Sequence, residues 1–313
     1  MARHTIPDTI ERSAAPPAAS RPLAVSLVTS LRPYQWTKNL IIFAALLFGQ
    51  RLLDGRALLY ASAAFAIFCA LSGVVYLIND IADREADRQH PVKKHRPIAS
   101  GALPVSVALT VALLLMVSAL TGAFFLRPLF GVLASAYLGL LVLYSGPLKH
   151  IVIIDVLTIA IGFVLRAVAG AVAVDVEISH WLLVCTILLA LFISLAKRRH
   201  ELVLLAAGAR EHRPILHEYS PYLLDQMIAI TAGASLIAYI LYTISPENAE
   251  RFGTPWLDLT IPFPIYGIFR YLYLVHQRDG GGSPADLLLT DYPLLACVIS
   301  WVLAVVLIVY FLK

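Results

Sequence analysis

Three aspartates at helical spacing are the residues of this chain best suited to metal chemistry. Asp80, Asp83 and Asp87 follow directly on the apolar run 57–78. If a helix continues through them, the spacing i, i+3, i+7 places their carboxylates on one face, at the end where the helix dipole is already negative. A divalent cation relieves their repulsion, and Mg²⁺ accepts a few carboxylates together with substrate phosphates. The pattern predicts a Mg²⁺ site, with a solvated acidic helix end as the alternative.

A basic loop follows the aspartates. It runs from Lys93 to Gly101 and contains Arg96, which Pro97 helps to fix. Carboxylates followed by cations suit a Mg²⁺–phosphate substrate, because the carboxylates hold the metal and the cations hold the phosphate oxygens. We therefore expect Lys93 and Arg96 to bind phosphate. The alternative is a loop whose charges face lipid headgroups.

The segment from Tyr144 to Lys149 ends a later apolar run. Gly146 and Pro147 favour a tight turn between these two residues. Tyr144 and Lys149 are candidates for substrate binding, with the lysine reaching a phosphate. As a motif the segment is weak, and a lysine that only sets membrane topology is equally compatible with it.

Asp155 and Arg166 lie inside a fifth apolar run. Being 11 residues apart, they fall within about 20° of the same helix face but roughly 16 Å apart, too far for a direct pair. Ionisable residues inside a membrane helix are costly and usually functional. We expect Asp155 near one mouth of the bundle and Arg166 deeper, where it binds a lipid phosphate or a carboxylate of another helix. Purely structural roles are the alternative.

A charged segment ends the sixth apolar run. Lys197 and Glu201 form an i, i+4 pair on one helix face, with Arg198 next to the lysine. These residues are candidate phosphate ligands. Cations also suit the C-terminal end of a helix dipole, so a simple cap on a membrane span is the alternative.

The composition places these residues in a polytopic, all-α membrane bundle. The 313 residues are 59% hydrophobic and 14% charged, with a mean hydropathy of +0.80. Repeated apolar runs of about 20 residues are typical of membrane-spanning helices. The net charge of +4 gives no reason to expect a nucleic-acid partner. The three cysteines lie inside apolar runs and are expected to be core residues.

The sequence predicts about nine transmembrane helices after a disordered cytoplasmic tail, 1–30. Residues 31–313 are expected to form a single transmembrane catalytic domain. Pro262 and Pro264 make the eighth span the least regular, because proline interrupts a helix interior. The predicted spans are 38–53, 57–80, 103–125, 128–145, 151–174, 179–197, 223–244, 255–275 and 288–312.

Lysine and arginine placement predicts the orientation. With nine spans, 18 of these residues fall on the side of the N-terminus and 5 on the other. Because positive charge is retained on the cytoplasmic side, the N-terminus and the aspartates are expected to face the cytoplasm, and the C-terminus the outside. The expected location is the inner (plasma) membrane, with multiple passes.

The motif Asn79-Asp80-x-x-Asp83-x-x-x-Asp87 with nine spans resembles the UbiA superfamily of intramembrane prenyltransferases. The resemblance covers roughly residues 30–310 and implies a UbiA-like fold. Most members carry a second aspartate-rich motif after span six, for a second Mg²⁺ on a prenyl diphosphate. This chain has Lys197-Arg198-x-x-Glu201 there instead.

In this substituted motif and in three further segments, the chain resembles the decaprenyl-phosphate phosphoribosyltransferase family. The segments are Arg32–Asn39, Arg96–Gly101 and Gly162–Arg166. The resemblance implies transfer of 5-phosphoribosyl from 5-phosphoribosyl diphosphate (PRPP) to a polyprenyl phosphate, with release of pyrophosphate, for cell-wall arabinan synthesis. It also implies dependence on Mg²⁺ and a possible homotrimer.

The resemblance assigns a role to each candidate. Asp80 and Asp83 would hold Mg²⁺ on the pyrophosphate of PRPP, with Asp87 as a third metal ligand or a support for the ribose. Glu201 would orient Lys197 or a ribose hydroxyl. The expected catalytic residues are Asp80, Asp83, Lys197 and Glu201. The expected substrate-binding residues are Asn79, Asp87, Lys38, Lys93, Arg96, Tyr144, Lys149, Asp155, Arg166 and Arg198.

Two other functions stay open. A UbiA-type enzyme could transfer a prenyl group from its diphosphate to an aromatic acceptor, although the absent second acidic motif argues against it. A cation-coupled transporter could use the Asp80 cluster as its ion site. Transporters place such sites near the bilayer midplane, whereas these aspartates lie at its edge beside a basic loop.

Overall fold

The computed structural model describes residues 22–90, 92–205, 215, 218–278 and 284–312, and within these ranges the chain is helical with no strand. The all-α prediction is therefore confirmed. Residues 33–43, 93–95, 148–150 and 256–260 form 3₁₀ helices. The α-helices are α1 (Leu23–Leu31), α2 (Ala44–Phe48), α3 (Gly55–Ala82), α4 (Arg84–Gln89), α5 (Pro97–Ser100), α6 (Val105–Leu126), α7 (Pro128–Ser145), α8 (Ile154–Val174), α9 (His180–Leu205), α10 (Pro221–Ile244), α11 (Pro246–Phe252), α12 (Pro262–Gln277), α13 (Pro284–Thr290) and α14 (Tyr292–Phe311).

Seven helices in the described part of the chain are long and apolar enough to cross a membrane, namely α3, α6, α7, α8, α9, α10 and α14. The predicted first span instead forms a 3₁₀ helix, Pro33–Phe43, followed by the short α2. The predicted eighth span, 255–275, overlaps α12, whose 16 residues begin at Pro262. Proline is well tolerated in the first turn, so it starts this helix rather than breaking it. The count of nine spans stays a prediction.

The boundary between tail and domain that the sequence predicts, at residue 30, stays a prediction. Residues 1–21 lie outside the described residues, and the chain from Leu23 onward is helical. The 3₁₀ segment that follows packs closely on α8. A Cβ on Gly170 would lie 2.3 Å from the Ile42 carbonyl oxygen, so only glycine permits this approach. The packing fixes the segment that carries Lys38 and Asn39.

Helix α3 carries the acidic segment to the edge of the bundle. Asp54 caps its N-terminus by accepting hydrogen bonds from the backbone N–H groups of Arg56 and Ala57. The helix has 28 residues. It is thus about 42 Å long, which exceeds a hydrocarbon thickness of about 30 Å. Its last turn, with Asp80, therefore extends to the membrane boundary.

Two buried clusters form the core on either side of α8. The first joins α3, α6, α7 and α8, where the rings of Phe68 and Tyr137 lie 4.9 Å apart. The second joins α8, α9, α10, α12 and α14, where the rings of Phe192 and Tyr271 lie 5.4 Å apart. Each cluster supports one end of the candidate site, because α3 belongs to the first and α9 to the second.

Candidate active site

Asp80 is a buried carboxylate in the last turn of α3, 2% exposed. Two arginines bind the same oxygen. Arg32 Nη2 lies 2.5 Å and Arg96 Nη1 lies 3.1 Å from Asp80 Oδ1. A charge this deeply buried is stable only when it is paired, and the two guanidinium groups provide that pairing.

Arg96 also connects Asp80 to Asp87. Its Nη1 atom lies 2.7 Å from Asp87 Oδ2, so one nitrogen bridges two buried carboxylates. Pro97 occupies the first turn of α5, and Arg96 precedes it as the N-cap in an extended conformation, which a following proline favours. The structure therefore brings together two of the three predicted metal ligands.

Asp83 lies apart from the other two carboxylates. The condition for three carboxylates on one helix face, an uninterrupted helix, is not met, because α3 ends at Ala82 and α4 begins at Arg84. The turn directs Asp83, whose side chain is 35% exposed, toward Lys149, with Nζ 3.4 Å from Oδ1. As these side chains lie, no group of three His, Cys, Asp or Glu residues in the described chain is assembled around one metal position.

The donor chemistry beside α3 nevertheless fits Mg²⁺. Asn79 Oδ1 is buried and accepts no hydrogen bond. A buried acceptor without a donor is rare in proteins, and this one is adjacent in sequence to Asp80. Carboxylate and amide oxygens with ordered water are the ligands that Mg²⁺ prefers. A hydrated cation would supply the donors that Asn79 lacks.

The rest of the basic loop is folded against α4 and α5. Lys93 lies in a short 3₁₀ turn, and its backbone N–H donates to His90 Nδ1 at 3.2 Å. Arg88 Nε donates to the carbonyl oxygen of Ala99 at 3.1 Å, which ties α4 to α5. These contacts hold the predicted phosphate-binding loop next to the acidic residues.

Arg198, at the other end of the site, binds protein acceptors through all three of its nitrogens. Nε donates to Asp155 Oδ2 at 2.8 Å, Nη1 to Glu201 Oε2 at 2.6 Å and Nη2 to the Tyr144 hydroxyl at 2.9 Å. Its side chain is 3% exposed, whereas that of Lys197 is 43% exposed, with Nζ 3.9 Å from Glu201 Oε1. Lys197 is therefore better placed than Arg198 to reach a phosphate.

Tyr219 completes this network and was not among the predicted site residues. Its hydroxyl donates to Asp155 Oδ1 at 2.9 Å and accepts from the backbone N–H of Ile153 at 2.7 Å. Burial raises the pKa of Tyr219 to about 12, so its hydroxyl remains a donor at neutral pH. A tyrosine in a polar loop has no spacing signal that could have identified it.

Arg166 lies in a separate buried network. Its Nε donates to Asn39 Oδ1 at 2.8 Å and its Nη2 to the Tyr137 hydroxyl at 2.7 Å. In the described ranges no carboxylate lies within ion-pair distance of it, so the expected pairing with a carboxylate is not observed there. Lys38, next to Asn39 in the chain, experiences the positive charges of Lys197, Arg166 and Arg32. Such a cationic region favours an anionic ligand.

Comparison with known proteins places this arrangement in a family. The profile of the UbiA prenyltransferase family matches residues 39–289. Decaprenyl-phosphate phosphoribosyltransferase of Corynebacterium glutamicum is 34% identical over 297 residues, which cover 92% of this chain and 88% of the relative. The protein of the same name from Mycolicibacterium smegmatis is 34% identical over 314 residues, covering 95% and 97%.

The fold agrees with that of a solved UbiA homolog. The Archaeoglobus fulgidus protein bound to GPP and Mg²⁺ superposes with a TM-score of 0.70 at 19% identity, over 90% of this chain and 99% of the other. The predicted UbiA-like membrane bundle is therefore confirmed, and the chain is a multi-pass membrane protein. The family profile matches most of the chain, and the Corynebacterium relative is 34% identical over 92% of it. This chain therefore belongs to the UbiA prenyltransferase family.

Proposed function

We propose that this protein transfers a 5-phosphoribosyl group from PRPP to a polyprenyl phosphate such as decaprenyl phosphate, with release of pyrophosphate. The observation that carries the proposal is the cationic end of α9, Lys197-Arg198-x-x-Glu201, opposite an acidic end of α3. The proposal is also supported by the two decaprenyl-phosphate phosphoribosyltransferases, which are 34% identical to this chain over 88% and 97% of their length. PRPP has one diphosphate, which suits one acidic metal site, and one 5-phosphate, which suits cations.

The acidic end is proposed to bind the diphosphate of PRPP. Asp80, Asp83 and Asp87 would hold Mg²⁺, with Asn79 as a further oxygen donor. When bound, Mg²⁺ would neutralise the charge that develops on the leaving pyrophosphate. Arg96 and Lys149 already contact these carboxylates and lie where they can donate to phosphate oxygens. Lys93 is proposed to extend the same cationic surface.

The basic end is proposed to bind the 5-phosphate. Lys197 is solvent-accessible and donates to phosphate oxygens, while Glu201 orients it or accepts from a ribose hydroxyl. Arg198, held by Asp155 and Tyr144, keeps Glu201 in place through the buried and partly buried hydrogen bonds described above. A carboxylate held by a buried arginine is a well-ordered hydrogen-bond acceptor.

The lipid phosphate is proposed to bind beside Lys38 and Arg166. Arg166, in α8, is a buried cation with no carboxylate within ion-pair distance in the described ranges, and Lys38 is next in the chain to Asn39, which binds this arginine. Asn39, which binds Arg166, also contacts Ser72 on α3, eight residues before Asp80, so this region lies further along α3 from its acidic end. A buried cation favours an anion of the substrate over bulk water.

The reaction is a displacement at C1 of the ribose. An oxygen of the lipid phosphate forms a bond to C1 as the C1–O bond to pyrophosphate breaks, and the pyrophosphate leaves with the bonding electron pair. A phosphate monoester is anionic near neutral pH, so no general base is needed. The protein's contribution is to position both anions and to neutralise the leaving group.

The decisive experiment incubates the purified protein with Mg²⁺, labelled PRPP and decaprenyl phosphate. We expect label in the lipid extract and stoichiometric release of pyrophosphate. A parallel reaction offers geranyl diphosphate and 4-hydroxybenzoate. Prenylation of the aromatic acceptor with PRPP left intact would contradict the proposal and favour the aromatic prenyltransferase. Cation flux in liposomes without turnover would favour the transporter.

We further propose that the site faces the cytoplasm in the plasma membrane, from the predicted lysine and arginine asymmetry. Cysteines introduced at Leu53 and Tyr222, which are 78% and 74% exposed, lie on opposite predicted sides. In intact cells an impermeant maleimide should label the Leu53 variant and leave the Tyr222 variant unlabelled. The reverse pattern would invert the topology. The homotrimer stays a prediction that mass photometry in detergent can test.

A further inference from the structure

The backbone is strained at Ile153, immediately before α8. Its φ is 69° and its ψ is −41°. A β-branched residue is rarely found at positive φ, because its side chain clashes with the backbone. Such strain persists only where surrounding contacts fix it, and it is frequent at functional sites. Asp155 lies two residues further along the chain, at the start of α8.

Tyr219 provides two contacts that fix this strained turn. Its hydroxyl accepts from the Ile153 N–H at 2.7 Å and donates to Asp155 Oδ1 at 2.9 Å. The tyrosine is buried at 4% exposure and packs in the core cluster that supports α9. One hydroxyl therefore couples the backbone of the turn to the carboxylate that follows it.

Asp155 transmits this constraint to the basic end of the site. Its second oxygen, Oδ2, accepts from Arg198 Nε at 2.8 Å. The same guanidinium donates to Glu201 Oε2 and to the Tyr144 hydroxyl. Because a guanidinium is planar and rigid, fixing one edge of it sets the direction of the other.

We propose that Tyr219 is a positioning residue which, by fixing the strained turn and Asp155, sets the Arg198 guanidinium and through it the carboxylate of Glu201 beside Lys197. The inference rests on the proposed function, since it assigns Tyr219 to the proposed 5-phosphate end. Tyr219 touches no reacting atom in this scheme. Its effect reaches the substrate only through Glu201 and Lys197.

The test compares Tyr219→Phe with Tyr271→Phe. Both tyrosines are buried in the same core cluster, but the Tyr271 hydroxyl has no hydrogen-bond partner in the described structure. Removing the Tyr219 hydroxyl should raise the KM for PRPP about tenfold, because it removes one hydrogen bond to a charged group. The change in kcat per folded molecule should be smaller. Tyr271→Phe should keep both constants at the wild-type values.

A second measurement does not depend on turnover. Amide hydrogen exchange of the peptide that covers 151–156 should accelerate in Tyr219→Phe, because the Ile153 N–H loses its acceptor, and should be unchanged in Tyr271→Phe. A variant with lower melting temperature but a wild-type KM would show a merely structural role and overturn the inference. Unchanged exchange would also overturn it. If wild-type protein fails to use PRPP, the proposed function falls and the exchange comparison alone decides the role of Tyr219.

Discussion

The ends of α3 and α9 contain the same kinds of charge with the roles reversed. On α3 the helix carries the carboxylate Asp80, and the arginines that bind it come from other segments. On α9 the helix carries Arg198, and the carboxylate Asp155 comes from α8. In both places a deeply buried charge is paired with an opposite charge from another segment, because an unpaired buried charge is strongly destabilising.

The difference lies in which group stays accessible. Beside α3 it is oxygen, since the Asp83 side chain is 35% exposed. The neighbouring Asn79 Oδ1 is buried but has no hydrogen-bond donor. Beside α9 it is nitrogen, since the Lys197 side chain is 43% exposed. One end therefore suits a cation and the other an anion. The segment Lys197-Arg198-x-x-Glu201 therefore presents an accessible cation and, beside it, the buried ion pair of Arg198 with Asp155.

The largest expected effect comes from the acidic end. Asp80→Asn should lower turnover at least about 100-fold, because a metal contributes several kcal/mol of charge stabilisation and about 1.4 kcal/mol equals a factor of ten. Mn²⁺ binding measured by electron paramagnetic resonance should weaken in parallel. Asp54→Asn, at the opposite end of the same helix, is the matched control and should keep wild-type turnover. If the wild-type protein keeps full activity in EDTA, the proposed role of Mg²⁺ at Asp80 is contradicted.

Removing the arginine that bridges the acidic end should reduce stability. Arg96→Gln leaves Asp80 and Asp87 without their shared cation, a loss of up to about 3–5 kcal/mol for a buried pair, at the lower end here because Arg32 remains. Melting in detergent should show a decrease that Mg²⁺ partly reverses. Arg88 instead contacts Glu85 and the Ala99 carbonyl oxygen. The melting temperature of Arg88→Gln should therefore not depend on Mg²⁺. An equal Mg²⁺ response in both variants would contradict the bridge.

Two substitutions at the basic end of α9 should separate an effect on PRPP binding from an effect on stability. Lys197→Met should raise the KM for PRPP about tenfold, because a charged hydrogen bond is worth about 1.5–3 kcal/mol, with an unchanged melting temperature. Arg198→Met should lower the melting temperature, because the buried Asp155 and the partly buried Glu201 and Tyr144 lose their donor. Steady-state kinetics and thermal melting of both variants provide the comparison. A wild-type KM in Lys197→Met would exclude this lysine from the phosphate site.

The smallest expected effect comes from an ion pair that belongs to neither the acidic end of α3 nor the basic end of α9. Arg270 Nη2 lies 2.8 Å from Asp291 Oδ2, and this hydrogen bond lowers the pKa of Asp291. A lowered carboxyl pKa contributes stability above the unfolded value, and the contribution is lost as the pH falls through the folded value. Asp291→Asn should therefore melt slightly lower than wild type at pH 7, with the difference vanishing in acid and turnover unaffected. A difference that grows in acid would contradict the sign.

Much of the fold could be predicted from local sequence. Apolar runs of membrane length located the seven long helices, and the Asp80 motif identified the acidic end. The single-residue break at Asp83 could not be predicted, because a helix and a tight turn differ by one backbone angle that neighbouring segments decide. For that reason only Asp80 and Asp87 share a partner, while Asp83 contacts Lys149.

The sequence by itself determined the class of the protein, its family and which helix ends carry charge, because hydropathy and spacing are local properties. Only the tertiary structure decided which charges are engaged and which remain accessible. Arg198 and Lys197 are neighbours in the chain, yet Arg198 is buried between Asp155 and Tyr144 whereas the Lys197 side chain is 43% exposed. Those partners lie 43 and 54 residues away, and Tyr219 lies 64 residues from Asp155. Helix packing sets such pairings, since it brings side chains together irrespective of their separation along the chain.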